Sequence, residues 1–350
     1  MKYSNIIIHT LSASFIAIIV SIILVPRIEA ANFDLSVSPQ IIQVDLTPPA
    51  VAQAKQTITL QNNSDNPLPL SVSLKPFRPD GANGNITYLK DGEHIGNDQD
   101  ILKKIILSQG NDQVDSIIIP PQSKKQLDLT VNVPNNEPPG DYYVSVVFMQ
   151  STGGQSSTLQ STGASAVGGI AMNLILSIGP KGKTTGSIEE FSTPFFQPQG
   201  PVSLKVKITN TSSHYIAPKG QIIITNMFGQ KIGKIDLLPL NILEHSSRYL
   251  PSKEQFVFAA NDNPDKNKQI TRIQKTLLSD EQALAVWPET FLLGPYKATL
   301  TVAFSDEGPL YVKSITFIGV PVYLLVAVGI CLFLVLAIRT RLKKRNVIIS

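Results

Sequence analysis

Between Phe33 and Phe317 the chain is built of short runs in which apolar side chains take every second position, separated by clusters of Asn, Pro and Gly. Alternation of this kind turns one face of an extended segment to a core and the other to water. A helix would need its apolar residues three and four positions apart. Phe33-Asp-Leu-Ser-Val-Ser-Pro39 alternates and stops at proline; Gln56-Thr-Ile-Thr-Leu-Gln61 alternates and breaks at Asn62-Asn-Ser-Asp-Asn-Pro67. Further runs are Leu68–Leu74, Ser116–Ile119, Gln126–Val133, Tyr142–Met149 and Ile170–Ile178. Strands of this length between turn residues predict antiparallel sandwiches.

The plan is written twice. Ser203-Leu-Lys-Val-Lys-Ile-Thr209 alternates and breaks at Asn210-Thr-Ser-Ser213, as the earlier run breaks at Asn62. Gly220–Thr225, a turn at Met227-Phe-Gly-Gln230, Lys231–Leu237, Tyr296–Phe304 and Tyr311–Phe317 follow. Gly140-Asp-Tyr142 and Gly294-Pro-Tyr296 each open an alternating strand, 154 positions apart. They read as one late strand in two copies of a sandwich. Each Tyr is either a corner hydroxyl bonded back to nearby backbone or simply a good strand residue. The fold expected is all-β, two immunoglobulin-like antiparallel β-sandwiches in tandem over 31–180 and 186–314. The Gly179–Gly186 stretch between them has no apolar residue to bury.

The two ends are different. Residues 1–30 carry Lys2, an apolar run from Ile6 to Val25 and an Ile-Glu-Ala30 exit, the layout of a signal peptide; an uncleaved anchor helix is the other reading. Ile318–Ile338 holds no charge and is followed by Arg339, Arg341, Lys343, Lys344 and Arg345. A transmembrane helix over 315–338 and a basic cytoplasmic tail over 339–350 follow from length and from the positive-inside rule. Residues 31–317 hold 23 Lys and Arg against 25 Asp and Glu, a net charge of −2, so the whole chain's +4 comes from its ends. That excludes nucleic acid as the expected partner. The membrane is the expected one, through a single C-terminal span, with the bulk of the chain extracytoplasmic.

Catalytic patterns are missing from the sequence. His94, His214 and His245 have no helical metal-ligand spacing, and the one cysteine, Cys331, lies in the terminal apolar run. No serine stands in a Gly-x-Ser-x-Gly elbow and no phosphate-cradling loop occurs. No enzyme activity, cofactor, metal or catalytic residue is therefore expected. Asp80-Gly-Ala-Asn-Gly-Asn85, Asp98-Gln-Asp100 and Asp262-Asn-Pro-Asp265 are acid-rich but read as turns rather than calcium loops. Asn62-Asn-Ser64, Asn85-Ile-Thr87 and Asn210-Thr-Ser212 match the glycosylation pattern, which is short enough to arise by chance. Gly81–Gly110 is polar apart from Ile101–Leu107, which suits a turn of helix. Ser151–Gly169 reads as a long polar hairpin loop, and 253–282 as a charged, partly helical insertion.

Taken with Phe33–Pro39, Gln61-Asn-Asn-Ser64, Asp80-Gly81, Ile86-Thr-Tyr88, Ile119-Pro-Pro121, Val133-Pro134, Gly140 to Gly169-Ile170, Phe228-Gly229 and Asn241–Tyr249, the chain resembles bacterial surface proteins of the WxL-interacting type. The resemblance implies a signal peptide, two immunoglobulin-like domains and a C-terminal anchor. It also implies a non-enzymatic binding or scaffold role touching peptidoglycan or another surface protein. The 151–169 loop and the 253–282 insertion depart from that plan, and no binding residue is carried over. A chaperone-like module adding a strand to exported subunits is the alternative; prolines at strand ends (Pro39, Pro120, Pro134) count against an open edge. An envelope hydrolase is the third reading, without a motif to support it.

Overall fold

The computed structural model describes residues 33–90, 93, 101–151, 168–253 and 283–348. Residues 1–30, where a signal peptide is expected, His94, the Asp98 and Asp262 clusters, most of 151–169 and most of 253–282 lie outside the described residues. The chain is all-β between its ends. The first half runs β1 (Leu35–Ser38), β2 (Ile41–Leu46), β3 (Gln53–Asn62), β4 (Leu68–Asp80), β5 (Asn85–Tyr88), β6 (Ile105–Gln109), β7 (Asp112–Gln113), β8 (Ser116–Ile119), β9 (Ser123–Asn132), β10 (Gly140–Gln150) and β11 (Gly169–Ile178). The second runs β12 (Gly186–Ser192), β13 (Phe196–Gln197), β14 (Val202–Asn210), β15 (Lys219–Asn226), β16 (Lys231–Asp236), β17 (Ser247–Tyr249), β18 (Ala285–Trp287), β19 (Gly294–Ala303) and β20 (Leu310–Gly319), and ends in helix α1 (Val322–Ile348).

Each half is a sandwich of two sheets, and the strand orders match. In the first half β1-β3-β9-β6-β7 faces β2-β11-β10-β4-β5, with β8 extending β4. In the second, β12-β14-β17, with β18 also on β14, faces β13-β20-β19-β15-β16. Both halves contain the same exception to antiparallel pairing: β2 lies parallel to β11, and β13 parallel to β20. β10 and β19, the two Gly-x-Tyr strands, hold the same place in their sheets. Along the inner side of β9 the first half has one continuous strand; the second has β17 and β18 on different stretches of β14, both antiparallel to it. The 253–282 insertion thus interrupts the strand that corresponds to β9.

Alternation builds both cores. In β14, Val202, Leu204, Val206 and Ile208 point inward against Ile222, Ile224, Ala298, Leu300, Val302 and Phe317. In the first half Ile58, Leu60, Leu127, Leu129 and Val131 meet Val144, Val146, Phe148, Met172 and Leu174. Each such burial is worth about 1.5–3 kcal/mol, and these cores need no disulfide among the described residues.

The period-2 pattern does not stop where the apolar residues do. The next inward positions are Asn62 and Asn210, both fully buried. Asn62 Nδ2 donates to the carbonyls of Asn66 (2.8 Å), Ile119 (3.1 Å) and Pro120 (3.0 Å), while Oδ1 accepts the Ser64 N–H (2.9 Å) and hydroxyl (2.7 Å). Asn210 Nδ2 donates to His214 (2.8 Å), Ile242 (3.1 Å) and Leu243 (3.0 Å), and Oδ1 accepts the Ser212 N–H (2.8 Å). Beyond each clamped carbonyl pair stands a residue of positive φ, Gln122 (47°) or His245 (50°). A serine follows whose hydroxyl reaches back three residues: Ser123 to Pro120 (2.7 Å) and Ser246 to Leu243 (2.9 Å). One corner device is present twice. It also settles the sequons: Asn62 and Asn210 are consumed inside the fold, and only Asn85 is exposed.

The tyrosines act as corner hydroxyls. Tyr142 donates to Pro138 O at 3.4 Å; Tyr296 donates to Leu293 O (3.3 Å) and accepts the Leu293 N–H (2.9 Å). Ile101–Leu107 is half as expected: Ile101–Lys104 is a 3-10 turn, and the chain then straightens into β6. At the C-terminal end the expectation needs correcting. Residues 315–319 are strand, because β20 stays paired with β19 as far as Gly319↔Gly294. The helix therefore starts at Val322, not at 315. Among the described residues no helix is long and apolar enough to cross a membrane; within α1 the side chains of Leu324, Val328 and residues from 340 onward are not among those described.

Candidate functional site: the seam between the sandwiches

In β10, Val144, Val146 and Phe148 fill the first core, yet Asp141, Tyr143 and Ser145 on the opposite face are buried too. Ser177 and Ile175 of β11 stand across from Asp141 and Tyr143. The second sandwich covers them: Phe77, Tyr143 and Ile175 form one buried cluster with Tyr215 and Leu243. Phe77 and Tyr143 lie 5.9 Å apart, ring to ring.

Asp141, only 5 % exposed, is the polar centre of this seam. It accepts the Ser177 hydroxyl at 2.6 Å, the Tyr143 hydroxyl at 3.2 Å and the backbone N–H of Tyr215 from the second sandwich. The Tyr143 oxygen in turn accepts the Glu244 N–H at 3.1 Å. Burial, with the Asp141 charge beside it, pushes the Tyr143 hydroxyl far above its ordinary range. The same two causes raise the Glu244 carboxyl. His214 is buried next to this centre, its Nε2 3.1 Å from Thr184 Oγ1 and its Nδ1 without a partner. Burial lowers its pKa, against the pull of Asp141.

The linker adds a second tie. Lys181 bonds Asp45 of β2 at 2.9 Å and lies 4.3 Å above the Tyr215 ring, whose hydroxyl also reaches Asp45 at 3.3 Å. Burial pulls the Lys181 ammonium down, but Asp45 and Tyr215 together hold it above the ordinary lysine range. A third tie is the β4–β5 hairpin turn, whose Ala82 carbonyl accepts the Tyr249 N–H at 2.9 Å. Gly84, at φ 87°, faces the Arg248 guanidinium; a Cβ there would stand 2.4 Å from Nη2. Arg248 donates to Asn241 O at 2.8 Å, its Nε has no partner, and burial lowers its pKa.

Between these ties lies a cleft of about 90 Å³, lined by Asn85, Asn173, Asn241, Ser247 and Arg248 among others. Small-molecule sites usually span ~300–1,000 Å³, so this cleft is small beside them. The polar groups here join the two sandwiches. The buried serine hydroxyls are engaged within the fold: Ser64 on Asn62, Ser145 on Asn173 (2.7 Å), Ser177 on Asp141 and Ser212 on Thr185 (3.0 Å), while Ser252 accepts the Val286 N–H (3.4 Å). Among the described residues no three His, Cys, Asp or Glu side chains gather as a metal site. The Asp80 carboxylate accepts the Thr87 hydroxyl (2.8 Å) across its own hairpin, a turn role. The sequence reading singled out Tyr142 and passed over Asp141 and Tyr143. The available signal was Asp-Tyr-Tyr-Val, a strand start with no free polar face.

No family model matches the chain, and no curated protein does. Among solved structures it is similar to the chaperone–tip adhesin complex of CFA/I fimbriae (10 % identity, 80 % of this chain and 98 % of that one, TM-score 0.35). It is also similar to the CsuC–CsuE chaperone–tip subunit complex of Acinetobacter baumannii (12 %, 62 % and 89 %, 0.32) and to the CupB2 chaperone of Pseudomonas aeruginosa (9 %, 79 % and 98 %, 0.31). Likeness at this level says nothing of what this chain binds.

Proposed function

We propose that the chain is a non-catalytic binding or scaffold protein of the bacterial cell surface. Its two sandwiches, immunoglobulin-like in their paired sheets and tyrosine corners, stand outside a membrane in which α1 is the anchor. The partner is peptidoglycan or another surface protein. One observation carries the reading. The described side chains of α1 between Val322 and Ile338 carry no charge and face outward on every side of the helix: Val322, Tyr323, Leu325, Val326, Ile330 and Phe333 among them. A helix apolar on every side is stable only inside something apolar. Val322–Ile338 gives 17 uncharged helical residues, at the short end of the ~17–25 that span a bilayer, and the basic tail begins at once.

The test is extraction. The full chain should stay with membranes through alkaline carbonate, and a chain ending at Gly319 should be released by it. Release of both removes the anchor.

Strand addition is the second reading, and β2 favours it. The carbonyls of Gln40 and Leu46 accept from Asn173 of β11 and from Gly179 just past it, so Ile41, Gln43 and Asp45 turn their backbone groups outward from the sheet edge. The strand carries neither proline nor lysine within it, whereas the edge strand β16 has Lys231 and Lys234 and β12 is bulged at Ile188/Glu190. Gln43→Pro deletes one outward N–H. It should abolish binding of a partner that adds a strand there and spare one that uses a loop or sheet face.

A further inference from the structure

The exposed phenylalanines of the second sandwich gather at one end. Where β20 runs out at Gly319, β19 begins at the paired Gly294, β15 ends at Asn226 opposite Tyr296, and β13 lies beside Ile318. Three connections meet there, carrying Phe195-Phe196, Met227-Phe228 and Phe291 with Leu293. These six side chains are 51 to 77 % exposed, and they include every exposed phenylalanine of the described sandwich residues. Leu310 and Val312, also exposed, lie at the opposite end of β20, and the rest are single exposed side chains, as on any surface.

The display is built. Asn226 Oδ1 accepts the N–H groups of Phe228 and Gln230, both at 3.0 Å, and Gly229 takes φ 76°. That turn holds Met227 and Phe228 out from the core. Met227 Sδ lies 3.9 Å from where a Cβ of Gly294 would be, so the turn and the start of β19 adjoin. Phe195 and Phe196 pack edge to face at 4.9 Å. One turn behind, Lys231 and Lys297 flank Thr225 from the two neighbouring strands, and Glu289 caps the Phe291 segment.

Only Val320 and Pro321 separate this end from α1, and Tyr323 is exposed in its first turn. We propose that this end of the second sandwich rests in the headgroup region of the outer leaflet, with Phe195, Phe196, Phe228 and Phe291 among the lipids. Rings at this depth anchor interfacial segments, and lysines just above them meet anionic headgroups. The sandwiches then stand at a fixed height on the bilayer instead of swinging from a tether. The inference rests on the α1 anchor.

The test uses the full chain in vesicles of phosphatidylcholine and phosphatidylglycerol, some with brominated acyl chains. An environment-sensitive dye is placed on native Cys331 or, in a Cys331→Ser background, on Phe228→Cys, Phe196→Cys or Ile118→Cys, the last an exposed site on the first sandwich. Bromine should quench the 228 and 196 probes several-fold more than the 118 probe. If Cys331 is quenched while 228 and 196 behave like 118, the inference is overturned and the anchor stands. Disulfide-linked dimers of the unlabelled Phe228→Cys chain under a mild oxidant, with no lipid quenching of the labelled one, would instead assign the end to a second copy. An unquenched Cys331 removes the anchor and the inference together.

Discussion

Asn62→Ala should be among the most damaging single changes in the first sandwich, although it removes no apolar contact. The side chain makes three donor contacts of 2.8–3.1 Å with two protons and accepts two bonds from Ser64. Counting four full bonds at ~0.5–1.5 kcal/mol each gives roughly 2–6 kcal/mol; water entering the vacated site recovers part, leaving about 3–4. Against a domain stability of ~5–15 kcal/mol that is a large fraction, and near ~3 °C per kcal/mol it lowers the melting temperature by about 10 °C. Asn210→Ala should do the same to the second sandwich, slightly less because Oδ1 accepts one bond there. Asn62→Asp sets an oxygen where the carbonyls of Asn66, Ile119 and Pro120 need donors, and should be no milder. Asn85→Ala, on an exposed residue, should stay within ~0.5 kcal/mol. Calorimetry and guanidinium unfolding measure all four. Costs below ~1 kcal/mol for both Asn62→Ala and Asn210→Ala would refute the corner as a structural device.

Two further outcomes concern the seam. Asp141→Ala leaves three donors without their acceptor, at ~1–3 kcal/mol each for those still buried, so the two sandwiches should unfold in separate calorimetric steps; a single unshifted transition would contradict the seam. Burial lowers the pKa of His214 in the folded chain below its ordinary 6.5. The unfolded chain therefore takes up that proton first, so stability is full above pH ~6.5 and falls as pH drops below it; His214→Gln should flatten that slope in denaturant titrations between pH 7 and 5, and an unchanged slope would assign it elsewhere.

The strands were legible because alternation is local. β3, β4, β9, β10, β11, β14, β15, β16, β19 and β20 all coincide with alternating runs, since each has one face in a core. β2, β12, β13, β17 and β18 were not marked out: they are edge or two- and three-residue strands whose pairing is set by partners far along the chain. The repeat was visible at Gly-x-Tyr and at the Asn breaks, but its mechanism was not. An asparagine ending a strand reads as a turn residue; the period of two carries 62 and 210 onto inward positions only if the strand extends that far, as the pairing shows it does. The seam was least legible. Asp141, Lys181, Tyr215 and Arg248 come from four separate stretches, and nothing local in a lone Asp or Arg tells which surface will cover it.

The central claim, a two-sandwich body on the outer side of a membrane with the tail inside, is tested most directly by protease accessibility. Protease added to intact spheroplasts should degrade the sandwiches, 31–319, and leave an epitope attached after Ser350 intact until the membrane is broken. Sandwiches protected in intact spheroplasts while the tail epitope is cleaved would contradict the account.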